Sequence, residues 1–153
     1  MAEEEQFCTF YLGSQCFGLS VLRVQEVIRH QEMTPVPLAH SAVRGLINLR
    51  GQIVPAIDLR ARMGLPARTG GELPLNVVVR TDDGAVSLLV DEIGDVLQVP
   101  ARSFERPPDT LDGPARDLIR WACKLEGGLL LVLDTDRTVN LSSHSDPPGG
   151  ARN

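Results

Sequence analysis

Apolar residues in this chain fall in short alternating or continuous runs separated by glycine, proline and clustered polar residues. That pattern predicts strands and turns rather than long amphipathic helices. Residues 6–12 and 15–19 alternate on either side of Gly13-Ser14, a two-residue hairpin signal. Residues 23–29 alternate again, with Val24, Glu26 and Ile28 on one predicted face and Arg23, Gln25, Val27 and Arg29 on the other. Pro35 and Pro37 restrict the next stretch to an edge strand or a bend, and 38–42 reads as a short helical turn. The run 43–60 gives two strand-like segments joined at Arg50-Gly51, and 60–64 reads as a short helix.

Residues 63–74 hold Gly64, Pro66, Gly70, Gly71 and Pro74 and read as a mobile connection. A second hairpin follows, 75–81 and 85–90 around Asp82-Asp83-Gly84, with 91–99 as a further strand around Gly94. Residues 100–114 are polar and proline-rich, hence loop; 118–125 and 128–133 are the closing strands around Glu126-Gly127. Residues 134–141 read as a short helix capped by Asp134 or Thr135. Residues 1–5 and 142–153 are expected to be disordered, leaving 6–141 as the folded unit. No internal repeat is evident. So many short strands predict an all-β barrel or sandwich, and two small barrels fit their number.

Composition narrows the partners. The hydrophobic fraction of 42% supports a core, but with aromatics at 4% the filling falls to Val, Leu and Ile. Nucleic-acid binding by base stacking is disfavoured on the same ground. With 15 basic and 20 acidic residues the net charge is −5, which repels phosphate backbones and anionic membranes. A protein or a small molecule is the expected partner. No apolar run approaches the ~20 residues of a membrane span, and the start Met1-Ala2-Glu3-Glu4-Glu5 is acidic where a signal peptide is basic, so a cytoplasmic location without membrane insertion is predicted. Cys8, Cys16 and Cys123 contain no C-x-x-C pair and read as reduced, mostly buried thiols.

Among candidate chemistries, Asn48 and Arg50 interrupt a segment otherwise fit for burial, so they need partners in the fold or on another protein. Glu26, set between Val24 and Ile28, has the same need, and Arg50 is the matching cation. Strand parity places Leu46, Asn48 and Arg50 on one side. A Glu26–Arg50 pair is either an architectural ion pair or the polar rim of an apolar groove that orients a ligand helix. Gly45 predicts a bulge or close backbone approach, Gly51 a turn with positive φ, and Pro55 an edge or bulge position. Asp91, Glu92 and Asp95 cluster around Gly94 but lack the calcium-loop spacing, and read as a solvated strand end. No local signature pairs a cysteine with His30 or His40, His144 lies in the predicted tail, and neither a phosphate-binding Walker loop nor G-x-G-x-x-G is present. No catalytic residue, metal or cofactor is expected.

Phe17-Gly18-Leu19-Ser20-Val21-Leu22-Arg23-Val24-Gln25-Glu26-Val27, followed by Val43-Arg44-Gly45, Asn48-Leu49-Arg50-Gly51, Ile53-Val54-Pro55 and Asp58-Leu59-Arg60, resembles the CheW family of bacterial chemotaxis adaptors. Residues 85–91, Gly94-Asp95-Val96 and 128–134 fit as well, so the resemblance runs over 6–141. Trp121 departs from it, since many relatives carry glycine there. The resemblance implies two small intertwined SH3-like β-barrels with short helices and a hydrophobic groove. It also implies a non-catalytic scaffold joining the regulatory domain of a CheA-type histidine kinase to the cytoplasmic tip of methyl-accepting chemoreceptors, in arrays at the inner face of the membrane. Glu26 and Arg50 are the motif acid and base associated with receptor and assembly contacts; Val24 and Ile28 extend that site as groove walls, and Asn48 completes the motif. The alternatives are an adaptor of the same fold in a non-flagellar chemosensory-like pathway, or a small ligand-binding β-barrel.

Overall fold

The computed structural model describes residues 4–111 and 113–141, and the predicted tail from 142, with His144, lies outside them. Among the described residues ten strands form two five-stranded sheets. The first hairpin pairs β1 (Glu4–Leu12) with β2 (Gln15–Ser20) around Gly13-Ser14. β1 takes in Glu4 and Glu5, expected to be disordered, because both pair with the end of a later strand at Pro100 and Val99. A single 3-10 turn, Val21–Arg23, capped by the Ser20 hydroxyl, then carries the chain into a second sheet. That sheet comprises β3 (Val24–Ile28), β4 (Val43–Leu49), β5 (Gln52–Asp58), β6 (Leu75–Thr81) and β7 (Gly84–Val90). At Asp91 the chain crosses back into β8 (Glu92–Pro100), β9 (Ile119–Leu125) and β10 (Gly128–Leu133).

The strand orders, β8-β1-β2-β10-β9 and β3-β6-β7-β5-β4, repeat one plan. Each sheet joins two antiparallel hairpins through a central parallel pair, β2 with β10 and β7 with β5, and adds a fifth strand at one edge. In each sheet one hairpin, β4–β5 and β9–β10, ends in a short helix capped by an aspartate: α1 (Leu59–Met63) after Asp58 and α3 (Thr135–Val139) after Asp134. The strand plan is therefore repeated in the structure, although the sequence shows no evident repeat. The second sheet is inserted within the first, and its two hairpins follow the chain in the opposite order.

Three cores result. Phe10, Leu12, Phe17, Leu19, Leu131 and Leu133 of the first sheet meet Ile57, Val77, Val79, Leu88 and Val90 of the second in the core that joins the units. On its other face the first sheet buries Phe7, Cys16, Cys123, Leu130 and Val132, and the second buries Ile47, Leu49, Val54, Ala56, Val78 and Leu89. Neighbouring residues of one strand thus fill different cores, so these strands read as continuous apolar runs.

Several local expectations are corrected. Residues 38–42 form turns, not a helix, because Leu38 takes a left-handed φ of +66°. The loop expected over 100–114 holds a 3-10 turn, Ala101–Ser103, and ends in a helix α2 (Gly113–Leu118), with Pro114 in its first turn. Pro55 lies in a central strand. Its partner Leu46 exchanges both backbone hydrogen bonds with Thr34, so the missing Pro55 donor faces β7, where pairing starts only at Ala56.

Candidate protein-binding face

The β4–β5 hairpin turns on two residues, Arg50 and Gly51, with φ of +53° and +88°. Positive φ at both centres is the pattern of a type I′ turn, comfortable for Gly51 and unusual for arginine. Asn48 supplies the local fix: its Oδ1 accepts a hydrogen bond from the Gly51 N–H at 2.9 Å. The Arg50 guanidinium, which stays 66% exposed, donates to the Glu26 carboxylate on β3, itself 23% exposed. Gln25 Nε2 donates to the same oxygen at 3.2 Å. β3 and β4 are the opposite edges of the second sheet, so this ion pair helps draw the sheet into a barrel. The hydrogen bonds from Arg50 and then Gln25 hold the Glu26 carboxyl below the usual carboxylate range.

Glu26 and Arg50 are therefore brought together, and Asn48 supports the turn that carries Arg50. The predicted face does not survive intact. A bulge between Val24 and Glu26 shifts the register on β6, pairing Val24 with Val79 but Glu26 with Val78 and Ile28 with Asn76. Cross-strand partners share a face. Val24 consequently packs toward the core between the sheets, while Ile28 packs with Met33 against the second sheet's own core. Both are half-buried. The exposed apolar side chains of this region are Val27 on β3, 41% exposed, and Ile53, 61% exposed and paired across the hairpin with Asn48. Reading the sequence missed them because strict alternation over 23–29 hides the bulge.

Gly45 meets its expectation. A Cβ there would stand 2.7 Å from the Thr34 carbonyl oxygen, so only glycine lets residue 34 pair with Leu46.

The acidic cluster around Gly94 divides. Glu92 and Asp95 are exposed, but Asp91 turns inward at the crossover between the sheets. It accepts hydrogen bonds from the Gly13 N–H at 2.6 Å, Arg60 Nη2 at 2.6 Å, Arg60 Nε at 3.1 Å and Arg68 Nε at 2.9 Å. Burial pushes the Asp91 carboxyl up, but these donors together outweigh it and bring it down to about 2. Both sheets, α1 and the connection before β6 are thereby tied to one carboxylate. The three thiols are free, and burial raises the pKa of each. No helix among the described residues is long and apolar enough to cross a membrane.

Trp121 stacks on Phe104 with ring centroids 5.7 Å apart, and Phe104 reaches Phe7 at 6.0 Å. The indole thus roofs the first sheet's core.

Comparison with known proteins matches residues 6–143 to the family model of the CheW-like domain. The chemotaxis protein CheW of Treponema pallidum is 30% identical over 136 residues, covering 86% of this chain and 80% of the relative. Protein FrzA of Myxococcus xanthus is 30% identical over 144 residues, covering 94% of this chain and 84% of that protein. The crystal structure of the scaffolding protein TtCheW from Thermoanaerobacter tengcongensis superposes with a TM-score of 0.76 at 26% identity, covering 86% of this chain and 90% of that one.

Proposed function

We propose that this chain, which belongs to the CheW family, joins the regulatory domain of a CheA-type histidine kinase to the cytoplasmic tips of chemoreceptors. It is a chemotaxis coupling adaptor. Its work is non-catalytic: a rigid body holding two partners raises their effective concentration and passes a bias from one to the other without changing a covalent bond. Its place of work is the cytoplasm, at receptor arrays on the inner face of the membrane.

The observation that carries this reading is the Glu26–Arg50 pair, set on a left-handed turn with most of the arginine in solvent. An unusual backbone that holds a charged side chain outward suits recognition better than folding. Glu26, Arg50 and Asn48 orient an amphipathic receptor helix, half-buried Ile28 shares the Glu26 face, and Ile53, exposed across the hairpin from Asn48, adds apolar area, whereas Val24 packs toward the core between the sheets and leaves the site. Size-exclusion co-elution with a receptor-tip fragment tests this, using wild type and Arg50→Glu, each checked by circular dichroism. Loss of co-elution with a native spectrum is expected. A variant that unfolds makes the pair architectural, and a folded variant that still co-elutes removes Arg50 from the interface.

The relative named FrzA supports a second reading, an adaptor of the same fold in a non-flagellar chemosensory-like pathway. The kinase and receptor genes beside this one discriminate the two.

A further inference from the structure

We propose that the cleft beside Trp121 in the first sheet is a binding site for a free α-amino acid with an apolar side chain, apart from the protein-binding face and beyond the adaptor reading. The cleft has a volume of about 160 Å³, and its walls include Phe7, Trp121, Val132 and Leu133, with Arg120 and Asp134 among its polar groups. A cavity of that size holds one benzene-sized group.

Around this cleft the two sheets match residue by residue. β4 and β9 each carry one unpaired residue in a bulge, Arg44 between Val43 and Gly45 and Arg120 between Ile119 and Trp121. Each strand is bridged by the loop before it, Leu46 by Thr34 and Ala122 by Glu105. The residue before each strand, Ala42 or Leu118, accepts a hydrogen bond of 2.8 Å from the N–H of the helix-capping aspartate, Asp58 or Asp134. Arg120 and Asp134 are thus the counterparts of Arg44 and Asp58, and Trp121 is the counterpart of Gly45.

The counterparts differ in what they hold. In the second sheet Arg44 is engaged by its own fold: Nε and Nη2 lie 3.2 and 3.1 Å from Asp58 Oδ2, and Nη1 donates to the Ser41 carbonyl at 2.9 Å. In the first sheet the Asp134 carboxylate keeps only its cap hydrogen bond, Oδ1 accepting from the Arg137 N–H at 3.0 Å. Arg120 is exposed and has no hydrogen bond or ion pair among the described residues. Of the remaining charges in the cleft, Arg23 binds Asp136 at 2.7 Å, and Glu5 is exposed on the strand face of Phe7. An ion pair made in one sheet is therefore open in the other, with an indole beside it where the counterpart has no side chain.

The open pair selects the ligand. An arginine fork takes a carboxylate and an aspartate takes an ammonium, and an α-amino acid carries both on one carbon. Its apolar side chain fits the walls formed by the indole, Phe7, Val132 and Leu133. An inorganic anion would meet Asp134 and Glu5 as well as Arg120, and a simple amine would leave Arg120 without a partner. Trp121 is the only tryptophan of the chain, so its fluorescence reports on the cleft directly.

The test titrates the full chain with valine, leucine and methionine and follows Trp121 fluorescence, with calorimetry alongside. A saturable change is expected with leucine or one of the other two, whereas 3-methylbutylamine and 4-methylpentanoate, which each lack one of leucine's two charges, should bind at least about tenfold more weakly than leucine. Arg120→Gln and Asp134→Asn should each weaken binding at least about tenfold without lowering the melting temperature, since Arg120 is exposed and asparagine keeps the helix cap. No saturable change with any of the three amino acids up to about 10 mM overturns the proposal, and so does unchanged affinity in both variants. Melting temperatures that couple Arg120 to Asp134 in a double-mutant cycle without ligand would show the two paired with each other, as Arg44 and Asp58 are, and would overturn it as well.

Discussion

Asp91 stands where the chain leaves one sheet for the other, and its removal is the most informative perturbation of the fold. Its carboxylate is 14% exposed, and Arg60 and Arg68 are each 16% exposed, so the three share a largely dry junction. A fall from 3.8 to about 2 corresponds by linkage to about 2.4 kcal/mol at neutral pH, and screening by the solvent that reaches the cluster reduces this to ~1–2 kcal/mol. Replacement by alanine does further harm, because two guanidiniums are left beside the vacated position and the Gly13 N–H loses its acceptor. Breaking a fully buried pair costs ~3–5 kcal/mol, so this partly buried one should cost ~2–4. In a domain of this size that lowers the melting temperature by roughly 5–15 °C. Asp91→Asn keeps the shape and one acceptor and should lose about half as much. The pH sign follows from the depressed carboxyl: its contribution is complete above the unfolded value near 3.8 and disappears as pH falls through about 2. Urea denaturation from pH 7 to pH 2 should therefore show the gap between wild type and Asp91→Asn constant down to about pH 4 and closing below it. A gap under ~0.5 kcal/mol at pH 7, or one that does not change with acid, would refute the assignment.

Gly45→Ala forces a methyl within 2.7 Å of the Thr34 oxygen and should cost ~1–3 kcal/mol, with faster amide exchange at Thr34 and Leu46 as the marker that the loop has come unpinned. Trp121→Ala removes the stack on Phe104 and uncovers the first sheet's core; a loss of ~2–3 kcal/mol by thermal melting is expected, and near-neutral behaviour would show that the indole is dispensable to the fold. Asn48→Ala deletes the acceptor for the Gly51 N–H and should cost ~0.5–1.5 kcal/mol, whereas Asn48→Asp, which keeps that acceptor, should stay near wild type in the same denaturation assay.

The strands were legible because alternation and turn residues are local signals. Gly13-Ser14, Arg50-Gly51 and Glu126-Gly127 each stand between paired strands as expected. Glu26 and Arg50 were legible as partners because a charged residue among apolar ones demands a counter-charge, and few were available. What stayed hidden depends on residues far apart in the chain. That β10 pairs with β2, and β8 with β1, follows from the fit of whole faces in the shared core. The bulge at Val24 and Glu26 reverses a face without leaving any mark in the alternation. Leu38 gave no warning either, since a leucine after proline does not advertise a left-handed backbone. Pro114 did mark the start of α2, but the polar loop before it masked the signal.

The most direct test of the coupling role is bridging. A receptor-tip fragment is immobilised, the kinase regulatory domain is passed over it with and without this protein, and retention of the kinase domain is measured. Retention that requires the adaptor, and that is lost with Arg50→Glu while the variant remains folded, is the predicted result. If the two partners compete for the adaptor instead of binding together, the molecule does not couple them and the two-contact arrangement is wrong.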